Sequence, residues 1–180
     1  MIGVRIQNVF DYMSQDEINQ ALSELYCALE ETVGKVCGTR LANEGACRQF
    51  LRNRMEVILG TWLGPAVAPG MKLSGQNMEG DDSPLEDILF DGLRTAALGQ
   101  KPNVVWMNAQ NMMMFYGGKL YSSLSMIWGI TLAVMTCPVN KDERIRDDCL
   151  ISTSCYVVLA NDLWGQEEKI LAMLKKARQG

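Results

Sequence analysis

From Leu120 to Asn140 the chain carries no charged residue, and Lys119 and Lys141 bracket the run. A stretch of that length either crosses a bilayer or lies at the centre of a folded domain, because about 20 apolar residues are enough to span the hydrocarbon layer. Ser122, Ser123, Ser125, Thr131 and Thr136 dilute it, Gly129 interrupts it, and Cys137-Pro138 closes it. A helix that is apolar on all sides is also what the middle of a larger bundle presents. The run is therefore read as a buried helix, with a membrane span as the lesser alternative.

The rest of the composition fits that choice. A chain of 180 residues, 48% of them hydrophobic, is long enough for one domain with a sizeable core and needs no staples. A net charge of −4 argues against a surface built to hold a nucleic-acid backbone. The six cysteines (Cys27, Cys37, Cys47, Cys137, Cys149, Cys155) form no C-x-x-C pair and there is no histidine, so the usual zinc sets and the usual triad base are missing. The opening MIGVRIQNVFDYM has neither a signal-length apolar run nor a small-residue cleavage site, which points to a cytoplasmic protein with reduced thiols.

Apolar residues recur at helical spacing nearly everywhere, and the fold expected is all-α, a single helical domain over residues 1–180 with loops at 64–82 and 99–103. Ser14 and Glu17 are spaced as a capping box ahead of Ile18, Ala21, Leu22, Leu25, Ala28 and Leu29, predicting a helix to about Gly34. A second helix is expected from Ala46 to Leu63, stopped by Gly64-Pro65. Ser83-Pro84-Leu85-Glu86 predicts a third, ending at Gly99. Val104 to Met135 reads as two helices or one broken at Gly117-Gly118, and Asn140 with Glu143 as the cap of a last long helix from Lys141 toward Arg178.

Chemistry is sought where that last helix turns polar, at Val158-Leu159-Ala160-Asn161-Asp162-Leu163-Trp164-Gly165-Gln166-Glu167-Glu168-Lys169. On one helix, Asn161, Gly165 and Glu168 lie within about 40 degrees of a common line, so an amide oxygen and a carboxylate could converge on a hard cation such as Mg²⁺. The plainer alternative is a polar interruption where a helix leaves the core.

The string resembles the second metal motif of class I terpene synthases, N-D-x-x-S-x-x-x-E, and most of all its setting in fungal terpene cyclases. Asn161 and Asp162 match; Gly165 stands where that family has a hydroxyl, and Lys169 where it has the last carboxylate, with Glu168 one residue earlier. The order of elements from Tyr116 to Lys169 is similar as well. The resemblance implies part of a class I terpenoid synthase fold, with Asn161, Gly165 and Glu168 as the metal positions and Asp11 in the place of the first aspartate motif. It implies Lys119 in the place of the arginine that senses a diphosphate, Mg²⁺ as cofactor, a prenyl diphosphate as substrate, and metal-assisted ionisation as the reaction. The acidic group Asp81 to Asp87 is read instead as a solvated loop.

Phe115, Tyr116, Trp128 and Trp164 are the residues that would line an isoprenoid pocket and face a carbocation. Aromatic residues and the run Met112-Met113-Met114 equally serve as core filler. Arg48, Arg52 and Arg54 give one helix a basic side, with Glu44 and Glu56 placed for pairing along the same helix. Against a cyclase stands the alternative of a catalytically inactive helical protein that forms a homodimer or joins a helical partner subunit through apolar surface left uncovered.

Overall fold

The computed structural model describes residues 1–40, 42–64, 67, 70–71, 73–76, 82–100, 104–108, 112–117, 119–153, 156–179, and it is a mixed α/β protein. Among the described residues there are seven α-helices and three small sheets, which overturns the all-α expectation.

The chain opens with a helix that the sequence reading missed, α1 (Ile2–Ser14), which buries Ile2, Ile6 and Val9 against α2 (Ile18–Cys37). The capping box does not form. The Ser14 hydroxyl donates back to the Asp11 carbonyl at 2.7 Å, so Ser14 closes α1 rather than opening α2. A tight turn through Asp16, at φ +57, then brings the Glu17 amide to the Tyr12 carbonyl. The predicted stripe from Ala21 to Leu29 is buried, and α2 runs past Gly34 until Gly38 adopts the left-handed conformation at φ +67.

The single helix expected from Ala46 to Leu63 is two. Asn43 caps α3 (Glu44–Asn53) by accepting from the Ala46 amide at 2.8 Å, and Arg54 breaks the run before α4 (Met55–Leu63). A short antiparallel pair, β1 (Ser74–Gln76) with β2 (Asp82–Pro84), leads into α5 (Leu85–Ala97), which packs on α2. Ser83 thus lies in a strand, and Pro84 is the residue before the helix.

Where helix was expected after Val104, the described residues form three strands before the next helix. β5 (Lys119–Ser123) lies between β3 (Val104–Met107), to which it is parallel, and β4 (Met113–Tyr116), to which it is antiparallel. The physical reason is visible in β4, where Met113 and Phe115 are half-buried while Met114 and Tyr116 are exposed. This is the period of two that aromatic and β-branched residues favour on a pleated surface. The charge-free run is accordingly a strand followed by the short helix α6 (Ser125–Met135), nine of whose eleven residues are buried. No helix among the described residues is long and apolar enough to cross a membrane.

α6 crosses α4 at Gly129, where an added Cβ would lie 2.6 Å from the Ile58 carbonyl oxygen. On the same helix, Trp62 donates to the Ser123 hydroxyl at 2.8 Å, fixing α4 to the end of β5.

The last long helix is not continuous either. After a 3₁₀ turn at Pro138–Asn140 and a charged loop comes a hairpin, β6 (Leu150–Ser152) with β7 (Val157–Leu159), then a 3₁₀ turn at Ala160–Asp162. The final helix α7 spans only Glu167–Gln179. Gly165, at φ +70, cannot continue a helix, and an added Cβ there would meet Lys141 at 2.6 Å. Asn140 caps nothing, since its buried amide donates to the Thr32 hydroxyl at 3.0 Å and to the Val134 carbonyl at 2.8 Å.

Candidate functional site

Asn161 and Glu168, placed on one helical line by the sequence reading, lie on different elements. The Asn161 side chain is a clasp. Its oxygen accepts from the Ile145 amide at 3.0 Å and from the Trp164 indole at 3.2 Å, and its nitrogen donates to the Ile145 carbonyl and the Asp147 carboxylate, each at 2.9 Å. Glu168 stands in the exposed first turn of α7.

Asp11 does reach this neighbourhood. It pairs with Arg146 at 2.8 Å and accepts from Gln7 at 3.1 Å, while the Arg146 amide donates to the Gln7 side chain at 2.8 Å. The structure therefore brings Asp11 and Asn161 to the loop at 145–147 as its anchors, with Trp164 bonded to Asn161. The other residues are elsewhere. Lys119 faces Tyr116 across the β4–β5 register, and Tyr116 is largely exposed. The Phe115 ring covers Gly75 so closely that no Cβ could be added there. Trp128 packs edge-on against Phe10 with centroids 4.8 Å apart.

This arrangement does not fit a magnesium ion. Mg²⁺ needs oxygen donors free to coordinate, yet the Asn161 oxygen is already taken by two N–H groups, Gly165 has no side-chain oxygen, and Glu168 stands exposed on a separate helix. No cluster of three carboxylate or thiol groups suited to a metal occurs among the described residues.

Two buried thiols are held in their unreactive, protonated form. Burial pushes the Cys47 thiol up to about 12, with further help from the Glu30 and Glu44 carboxylates. Burial likewise raises Cys137, even though the Arg54 guanidinium beside it pulls the other way. Cys155 lies outside the described residues.

A more open site sits on the far face of α4. A cleft of about 580 Å³ lies among the end of α3, the start of α4, the segment that follows α4, and the β1–β2 pair. Leu59 and Val67 are buried at its floor, and Met55, Met71 and Leu73 form its apolar walls. Arg52 stands at its rim, half-exposed, with Nε donating to the buried Glu86 carboxylate at 2.5 Å. That bond fixes the guanidinium plane. No partner of the two terminal nitrogens is found among the described residues, so a charged fork of the geometry that binds carboxylates and phosphates is left free on a residue that lines the cleft.

Sequence reasoning named Arg52 but assigned it the wrong partners. Arg48 pairs with Asp87 and Asp91 on α5 and stacks over Phe90. Arg54 lies over Phe50 and pairs with Glu167 on α7. Glu44 and Glu56, expected to pair within the helix, hold Arg94 and Arg178 instead. Arg52 ends α3 whereas Met55 and Leu59 belong to α4, so the cleft spans a helix break that the sequence reading did not expect, and its opposing wall comes from residues with no regular period.

The sequence model of the Rv1289 family matches residues 1–180, and the chain belongs to that family. No curated protein and no solved structure matches it.

Proposed function

We propose that this protein is a binding module for a small amphipathic acid, held in the cleft beside α4 with its anionic end on Arg52. What supports the reading is one juxtaposition. A guanidinium locked by a buried carboxylate stands at a cavity walled mainly by methionine, leucine and valine, with Asn53, Ser74 and the Arg178-paired Glu56 among its polar lining. The volume falls within the roughly 300–1,000 Å³ common to small-molecule sites, and a few polar groups on mostly apolar walls is their usual make-up. Methionine walls adapt to the shape of an alkyl chain because the side chain is unbranched and polarisable. A prenyl diphosphate, apolar along its chain and anionic at its head, belongs to the same chemical class.

The Glu86 carboxylate would act through Arg52. By engaging Nε it leaves the end-on pair of N–H donors for the ligand and lowers the rotamer freedom that binding would otherwise remove. Titration calorimetry with decanoate, and with decylamine as its cationic counterpart, tests the assignment. Decanoate is expected to bind saturably and decylamine not at all. Arg52→Gln is expected to weaken decanoate binding about tenfold, as suits the loss of one charge-assisted contact. Equal binding of acid and amine, or an unchanged affinity in the Arg52 variant, would refute it.

A further inference from the structure

Arg52 reaches the cleft from the end of α3, and the β1–β2 pair forms another part of the same wall. In that pair Ser74 faces Pro84 and Gly75 faces Ser83, and the Leu85 amide donates to the Leu73 carbonyl at 3.0 Å. Bonded and non-bonded pairs alternate along an antiparallel ladder, so Leu73 with Leu85 and Gly75 with Ser83 are the bonded pairs and Ser74 with Pro84 the non-bonded one. The backbone groups of Ser74 and Pro84 therefore turn outward, to the two edges.

Those edges are not alike. Proline has no N–H, and on an outward position it keeps an edge from pairing; β2 is closed in this way by Pro84. Nothing of the kind guards β1. Ser74 is exposed, and its outward N–H and C=O find no partner among the described residues. Leu73 and Ser74 both line the cleft, with Pro84 across the ladder. Successive residues of an extended chain point to opposite faces, so a cavity that touches Leu73 and Ser74 alike meets this strand along its side.

Three features thus share one cleft: a guanidinium fork, an apolar floor of buried Leu59 and Val67, and a main-chain donor and acceptor set as a strand sets them. The two acids of the lining, Glu56 and Glu86, are each bonded to an arginine already. A simple alkyl acid would use the fork and the floor and leave Ser74 idle. An extended peptide uses all three, with its terminal carboxylate on Arg52, its last side chain on the floor, and a backbone N–H and C=O exchanged with Ser74. The sizes agree, since a rounded cavity of about 580 Å³ is about 10 Å across and three extended residues at ~3.3 Å each cover that length.

On the reading of the cleft as an acid-binding site, on which this rests, we propose that its ligand is the carboxyl-terminal segment of a peptide or protein that ends in an aliphatic residue, taken up as a third strand on β1. Fluorescence anisotropy of an N-terminally labelled Ala-Ala-Ala-Leu peptide with the intact chain tests it. The peptide with a free carboxyl end is expected to bind saturably and to be displaced by decanoate. Its carboxamide form is expected to bind about tenfold more weakly, and so is a form N-methylated at the two middle residues, each having lost the contacts of one recognition element. Ser74→Pro removes an N–H that the ladder does not use, and is expected to weaken the peptide about tenfold while leaving decanoate unchanged.

Decanoate binding without peptide binding would overturn the peptide assignment and leave the acid site standing, whereas binding of neither would remove both. Equal affinity of the N-methylated and parent peptides would mean that the strand edge is unused and would overturn the proposal. That comparison uses the unaltered protein, so it decides the matter even if Ser74→Pro does not fold.

Discussion

Two glycines on crossing helices differ in what surrounds them, and the difference can be measured. At Gly129 of α6, an alanine Cβ would meet the Ile58 carbonyl oxygen at 2.6 Å and the Ile58 Cα at 3.1 Å, both backbone atoms of α4. At Gly60 of α4, the nearest atoms to such a Cβ belong to the Leu174 side chain, its two methyl groups at 2.7 and 3.0 Å and its Cγ at 3.3 Å. Replacing glycine by alanine inside a helix favours folding by roughly 1 kcal/mol through propensity alone, and this gain is common to both sites. Overpacking a rigid contact costs about 1–3 kcal/mol. A leucine tip can rotate away for a small part of that, whereas α4 cannot move without disturbing Trp62 and its bond to Ser123.

The expected result is that Gly60→Ala is neutral or slightly stabilising and that Gly129→Ala is less stable than it by about 2 kcal/mol. For a domain of this length, that separates the melting temperatures by roughly 4–8 °C. Differential scanning calorimetry of the two variants side by side is the assay. Equal midpoints, or a higher one for Gly129→Ala, would refute the claim that backbone contact sets the α4–α6 spacing.

Two further outcomes follow from the loop that Asn161 clasps. Asn161→Ala strands the Ile145 amide and the Trp164 indole, and is expected to cost about 2–3 kcal/mol in urea unfolding, equally with and without added magnesium; a magnesium-dependent difference would contradict the structural role. Burial pushes the Glu143 carboxyl up, but the bond from Lys35, the Gly3 amide and the nearby positive charges outweigh it and hold the group below its ordinary value of 4.5. A carboxyl lowered in the folded state contributes stability above 4.5 and loses it as the pH falls through its folded value. Glu143→Gln should therefore be less stable at neutral pH and show a shallower acid limb, and an unchanged limb would contradict the assignment.

Legibility in the sequence followed the kind of burial. The stripe of α2 was readable because it buries one side against its neighbours at helical spacing, and α5 was placed by the Pro84-Leu85-Glu86 start and by Gly99 beyond its end. The failures came where a residue can serve two ends. Ser14 has the side chain of an opening cap and acts as a closing one, and Asn140 has the look of a cap but is spent on Thr32 and Val134 inside the core. Strands β3 to β7 are three to five residues long, too short to establish a period of two amid apolar neighbours.

The site fared worse for a related reason. The spacing of Asn161, Gly165 and Glu168 means something only if the backbone between them is helical, and Gly165 at φ +70 breaks it. The Arg52–Glu86 and Arg178–Glu56 pairs join positions 34 and 122 residues apart, which no local spacing can announce.

The loop around residues 143–146 ties down the very beginning of the chain. Glu143 accepts the Gly3 amide across 140 residues of sequence, and Gln7 reaches Arg146 across 139. During synthesis at roughly 5–20 residues per second, the first helix would wait about 7–28 s before the segment that holds its leading turn is made. Until then α1 and α2 can form a helical pair but not a finished corner, and Ile2 lacks its final cover. The corner between α1 and this loop thus closes late in synthesis, a delay set by topology that strengthening α1 itself would not shorten.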